Sequence, residues 1–224
     1  MSKKIAFIVL WLSFATYAFF LAPPEQPGTF ELIKNLSTGV WDGVNPLVIS
    51  LFNIMGILPM LYSCLLFVDG KGQKISAAPF ALASFGVGAF ALLPYLFLRQ
   101  PNPDFLGKKN WFIKILDSRI TGVLLLFSTV GLVGYGLING DWGNFVEQWQ
   151  TNRFINVMSL DFSLLCLLPS VLISDDMARR NMDNSALFWI TALLPLFGSL
   201  IYLSVRSPLP ETSEQLSQQK AVST

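Results

Sequence analysis

Apolar residues gather in six runs, at 5–22, 47–68, 77–98, 120–138, 157–174 and 186–205, separated by shorter polar stretches. Each run is 18 to 22 residues long. At about 1.5 Å per residue, roughly 20 helical residues cross the ~30 Å hydrocarbon layer of a bilayer. The pattern therefore predicts an all-α fold: a polytopic helical membrane protein with about six transmembrane helices. It forms a single transmembrane domain over 1–206, followed by a disordered polar tail over 207–224 that opens on Pro208 and Pro210. The first run follows Lys3 and Lys4 and is longer than the ~7–15 residue core of a secretory signal. It is read as an uncleaved anchor.

The connections carry their own patterns. Pro23, Pro24 and Pro27 end the first helix, and Phe30, Ile33 and Leu36 recur on one face of a short segment at 29–36 that suits an interface. In the 99–118 connection Trp111, Phe112, Ile115 and Leu116 share a face, with Lys108, Lys109 and Lys114 set off it. A basic amphipathic segment beside a membrane helix predicts binding to anionic lipid, with Lys108, Lys109, Trp111 and Lys114 as the contact residues. Trp41, Trp111, Trp142 and Trp149 all fall in connections, as an aromatic belt would place them.

Composition agrees with a bilayer as solvent. Hydrophobic residues make up 53% and charged residues 13% of the 224, about half the ~25% charge of a soluble domain. The net charge of +1 gives no field to draw nucleic acid. Histidine is absent, which removes His-ligated haem, chlorophyll and metal, and any His general base, so no cofactor is expected. Cys64 and Cys166 sit inside apolar runs and read as packing residues. There is no GxSxG, HExxH, CxxC or glycine-rich phosphate loop, so an enzyme is disfavoured.

Three polar features stand inside or beside the apolar runs. Asp161 is an ionisable residue in a membrane-length segment, where an unpaired carboxylate costs several kcal/mol. Its expected partners are Asn53, Arg119 or Arg153, and a position near its helix N-terminus is the alternative. Asn53 is the second polar residue, placed for a hydrogen bond between helices. Asp175, Asp176, Arg179 and Arg180 form two i, i+4 pairs, read as a solvated helix end or as a docking turn for a partner. Leu-Pro recurs at 58–59, 93–94, 168–169 and 194–195, which raises two three-helix halves of opposite topology. The prolines do not align, since Pro94 precedes Arg99 by 5 residues and Pro195 precedes Arg206 by 11. Six spans divide the lysines and arginines seven against eight, so the positive-inside rule leaves the orientation open.

The stretches FLAPPEQPGTFELIKNLSTG, NPLVISLFNIMGILPMLYSCLLFVDGKGQK, FGVGAFALLPYLFLRQPNP and MSLDF…DDMARR resemble a family of multi-spanning membrane proteins of cyanobacteria with chloroplast relatives. The last third is also similar to small membrane proteins grouped as a domain of unknown function. The resemblance spans roughly 5–206 and implies the thylakoid or plasma membrane of a photosynthetic cell. With it, the expected function is a non-catalytic accessory or assembly factor for a larger membrane complex. The alternative is a small-solute or ion transporter with a polar site near Asp161 and Asn53.

Overall fold

The computed structural model describes residues 2–105 and 109–210, and every regular element within them is helical. In chain order these are α1 (Ser2–Thr16), which runs on through a π-helical turn at Tyr17–Leu21, α2 (Thr29–Thr38), α3 (Pro46–Asp69), α4 (Ala78–Val87), α5 (Ala89–Leu98) and α6 (Trp111–Asp117). The second half holds α7 (Arg119–Asn139), α8 (Trp142–Thr151), α9 (Arg153–Leu167), α10 (Pro169–Arg179), α11 (Ser185–Leu193) and α12 (Phe197–Val205). Asn45, Asn110, Ser118, Asp141, Asn152 and Asn184 each precede a helix and accept a backbone N–H of its first turn. The 139–153 connection, expected to be irregular, holds α8, which Asp141 opens by accepting the Asn144 N–H at 3.0 Å.

Four helices are long and apolar enough to cross a membrane: Lys3–Leu21, Pro46–Asp69, Arg119–Asn139 and Arg153–Arg179. Large apolar side chains on α7, such as Ile120, Leu124 and Phe127, are 62–70% exposed, as a lipid-facing helix requires.

Against the six-span expectation, the third and sixth apolar runs give no single helix long enough to cross a membrane. Each breaks in the middle and folds back as a hairpin of two short helices. Gly88 turns the first, with φ +51°, a conformation that a Cβ would strain. Both ends of this hairpin return to the C-terminus of α3. Ala77 presses on Gly70, whose Cβ would stand 2.7 Å from that of Ala77. At the other end, Arg99 Nε donates to Asp69 Oδ2 at 2.9 Å. Leu196, with φ +70°, turns the second hairpin, and Gly198 lets α12 close on the Ile190 carbonyl of α11. Its ends also meet, since the Ser207 N–H donates to Met182 Sδ at 3.3 Å and Arg180 Nη1 to the Ser207 carbonyl at 2.5 Å. A ten-residue helix rises about 15 Å, half of a bilayer core.

The prolines within these elements explain two long-range bonds. Pro94 has no N–H for the Phe90 carbonyl, and Trp11 Nε1 supplies the donor from α1 at 3.0 Å. Pro169 likewise leaves the Leu165 carbonyl free, and the Tyr62 hydroxyl fills it from α3 at 2.7 Å.

The two halves repeat one another, in the same orientation rather than the opposite one. Tyr95 and Arg99 bind Asp69 at separations of 26 and 30 residues, and Tyr202 and Arg206 bind Asp176 at the same separations. The second set follows the first by 107 residues, as Asn152 follows Asn45 and Pro195 follows Gly88. Each half consists of two long helices, a short amphipathic helix between them, and a hairpin. Two crossings per half return the chain to its starting side, so all the hairpin bases lie at one end.

The expected polar tail begins at 207, and part of it is packed. Leu209 is buried with Val68, Phe105 and Ile113, and residues 211–224 lie outside the described chain.

Candidate functional site: an intramembrane cavity and a buried ionic latch

The hairpin bases meet in a buried ionic cluster. Asp69 Oδ1 accepts from Arg99 Nη2 at 2.7 Å and from Arg179 Nη2, and its Oδ2 accepts from the Tyr95 hydroxyl at 2.6 Å. Asp176 Oδ2 accepts from Arg180 Nε at 2.9 Å, Arg206 Nη1 at 3.0 Å and the Tyr202 hydroxyl at 2.7 Å. Arg99 also binds Asp175, Arg180 reaches Asp117 at 2.6 Å, and Lys109 reaches Asp117 at 3.0 Å. Burial opposes the Arg180 charge, yet Asp176 and Asp117 outweigh it and hold its pKa above the ordinary guanidinium value. The cluster ties α3, α5, α6, α10 and α12 together at one end of the bundle.

This arrangement corrects the docking-turn expectation. Asp176, Arg179 and Arg180 are buried, and only Asp175 keeps some exposure, at 17%. Asp176 and Arg180 pair as the i, i+4 spacing predicts, but Arg179 turns to Asp69 and Asp176. A turn whose charges are spent inside the bundle offers a partner little to bind. The lipid-binding segment divides as well. Lys109 is committed to Asp117, Trp111 and Lys114 are exposed, and Lys108 lies outside the described residues.

Asp161 lies in the other half of the bundle, at the tip of the first hairpin. It is 6% exposed, and its Oδ1 accepts the Ala89 N–H at 2.7 Å. That N–H is the first donor of α5, which a helix break leaves free. Gly88 is required for this contact, since a Cβ there would stand 1.8 Å from Asp161 Oδ2. Among the described residues no donor reaches Oδ2. Asp161 therefore has a backbone partner and neither Asn53, Arg119 nor Arg153. Asn53 turns back to its own helix, where Nδ2 donates to the Ile49 carbonyl at 2.8 Å. Arg119 Nε donates to the Arg206 carbonyl and Arg153 Nε to the Pro23 carbonyl, both at 2.9 Å.

Asp161 lines a cavity of about 780 Å³, within the usual range for small-molecule sites. Phe19, Phe52, Phe90 and Phe154 form much of its wall, and Glu25 and Arg153 stand at its far end. Arg153 precedes Asp161 by eight residues on α9, or about 12 Å along the axis. The void thus runs from the N-terminal end of α9 to the hairpin tip. Asn53 is absent from its lining, although Phe52, Met55 and Gly56 of the same helix are present.

Packing explains why the void lies on this side. In the second half α7 closes on α3, because Gly136 fits against Ser50 and Gly140 against Leu47. The Ser50 hydroxyl seals that contact by donating to the Leu132 carbonyl at 2.8 Å. The matching helix, α1, has no glycine and ends in Tyr17, Phe19 and Phe20, and it does not pack along α9 in the same way. The Tyr17 hydroxyl bridges to Asn156 Oδ1 at 3.0 Å. The space left over is the cavity.

No family model, curated protein or solved structure matches the chain.

Proposed function

We propose that this is an integral membrane carrier for a small solute, with four crossing helices and two re-entrant hairpins. The carrying observation is the Asp161 carboxylate at the Gly88 tip, lining the cavity, with one oxygen left without a partner among the described residues. A buried carboxylate is costly, and irregular backbone at membrane depth is tolerated where it lines a cavity. Both features occur at one point. The burial of Asp176, Arg179 and Arg180 takes the charged turn away from the accessory-factor reading.

The hairpin topology also bears on orientation. With four crossings, Lys34 and Arg153 are the only described lysine and arginine at the cavity end of the bundle, and all the others lie at the latch end. By the positive-inside rule the latch faces the cytoplasm, or the equivalent side of an internal membrane. The cavity then opens outward and the latch closes its inner end.

Accessibility labelling tests the reading. Gly56 has open space where a side chain would stand, so Gly56→Cys can be placed in a chain whose Cys64 and Cys166 are replaced by Ala. A carrier exposes this thiol to a membrane-impermeant maleimide from the outer side, and in a fraction of molecules from the inner side. Labelling from the outer side alone would remove the carrier, and labelling from neither side would remove the open cavity.

A further inference from the structure

The chemistry of the cavity floor points to its ligand, and the following rests on the cavity reading above. We infer that the cavity binds an organic ammonium, a protonated amine with an apolar body, with its nitrogen at Asp161 Oδ2 and the hairpin tip.

The floor offers acceptors. Asp161 Oδ2 has no donor among the described residues, while the Ala89 N–H is consumed by Oδ1. In an unbroken helix the Phe85 and Gly86 carbonyls would accept from Ala89 and Phe90. Across the Gly88 break they receive no such bond, and both residues line the cavity. On the facing wall Pro59 has no N–H for the Met55 carbonyl, and among the described residues no side chain replaces it. These carbonyls belong to the C-terminal end of α4 and a proline step of α3, and they stand free beside the carboxylate where the opposed dipole ends of α4 and α5 meet. A ligand that satisfies this floor brings positive charge and several N–H donors.

The walls exclude the simpler cations. A bare metal ion needs about six or more oxygens at close range, whereas this void of about 780 Å³ is lined chiefly by phenylalanine, valine and methionine. Aromatic faces attract an organic cation and also pack its apolar part. A carboxylate or phosphate would meet Asp161 without compensation. An alcohol would leave the Asp161 charge unbalanced. At the mouth Arg153 and Glu25 cancel in charge, so entry of a cation is not opposed there.

Calorimetry on the purified full-length protein in detergent separates these cases with three probes of similar shape: 2-phenylethylammonium, 2-phenylethanol and 3-phenylpropionate. The expected result is saturable binding of the ammonium at least ten times tighter than the alcohol, and none of the carboxylate. Asp161→Asn keeps an oxygen for the Ala89 N–H and is expected to weaken the ammonium at least tenfold while leaving the alcohol unchanged. Gly56→Leu fills the cavity without touching Asp161 and is expected to abolish binding of both. Equal binding of ammonium and alcohol, binding of the carboxylate, or an unaltered affinity in folded Asp161→Asn overturns the proposal. Competition by sodium at millimolar concentration also overturns it.

The ammonium has two sources, a free amine or the headgroup of phosphatidylethanolamine. Nanodiscs of phosphatidylethanolamine that block the amine, where nanodiscs of phosphatidylglycerol do not, assign it to the lipid. Binding in both assigns it to the free amine. Because calorimetry reads binding without transport, an amine that binds a chain labelled only from the outer side keeps the ligand and loses the carrier. Two-sided labelling without amine binding does the reverse.

Discussion

The two halves of this protein share a latch and differ at their hairpin tips. In each half an aspartate at the end of a long helix holds a tyrosine and an arginine at the base of a hairpin. At the first tip, Gly88 meets Asp161 of α9. The residue that precedes Asp161 by the repeat interval of 107 is Ile54, an apolar side chain that is 4% exposed. One tip is held by a carboxylate beside a void, and its counterpart position is apolar core. The latch residues occur twice because both hairpins need their bases held. Asp161 occurs once, which separates a requirement of the fold from one of a site.

The latch acids carry the largest expected effects. Asp176→Asn leaves Arg206 without a described acid partner and Arg180 with Asp117 alone, and breaking a buried pair from one side costs about 3–5 kcal/mol. Folded yield in detergent and thermal unfolding measure this, and near-normal stability would mean that the cluster does not hold the hairpins. Asp69→Asn is expected to cost less, since Arg99 keeps Asp175 as a partner. The tyrosines test the repeat directly. Tyr95→Phe and Tyr202→Phe each remove one buried donor to an aspartate and should cost about 1–3 kcal/mol, equal within experimental error. A large difference between them would show that the halves are alike in backbone but not in energetics.

The sequence revealed the class of object and misled on its topology. Hydropathy marks apolar residues, and a half-membrane hairpin of two ten-residue helices is as long and as apolar as one crossing helix. Nothing in the 77–98 or 186–205 runs distinguishes the two except where their ends must go, and that is set by Arg99 reaching Asp69 and Arg206 reaching Asp176. A pattern was available: an aspartate followed by tyrosine at 26 and arginine at 30 occurs at 69 and again at 176. The prolines obscured it, because their role is local and depends on which carbonyl a neighbour can satisfy. Pro94 is answered by Trp11 and Pro169 by Tyr62, at unrelated positions. Asp161 was legible as an intramembrane acid. Its partner was not, because a backbone N–H freed by a turn leaves no side-chain signature. The burial of Asp176, Arg179 and Arg180 is not legible locally, since it depends on Asp69 and Asp117, distant in sequence.

Glycine at the α7–α3 contact is the next test of the asymmetry. A Cβ on Gly136 would lie 2.7 Å from Ser50 Oγ, so Gly136→Leu forces α7 outward and should cost about 1–3 kcal/mol by overpacking. A comparable enlargement on the α1 side, Gly56→Leu, faces open space and should be close to neutral. Unfolding midpoints of the two variants side by side report whether the void lies only in the first half. Equal losses would place tight packing on both sides and remove the cavity.

The smallest expected change in stability is at Asp161. In Asp161→Asn the amide carbonyl takes over the Ala89 N–H from Oδ1, and no ion pair to Asp161 is present among the described residues to be lost. Removal of a charge that has no cationic partner also lifts a desolvation cost. The net change in unfolding free energy should stay under about 1 kcal/mol, or favour the variant, because a charge-assisted hydrogen bond of modest net worth is replaced by a neutral one. Thermal unfolding beside Asp176→Asn is the measurement. If the two aspartates cost the same, Asp161 has a partner within the fold and its place beside the cavity is structural. If Asp161→Asn is neutral or stabilising while Asp176→Asn unfolds, the buried charge at the hairpin tip is retained for something other than stability, and the void in front of it is where that use lies.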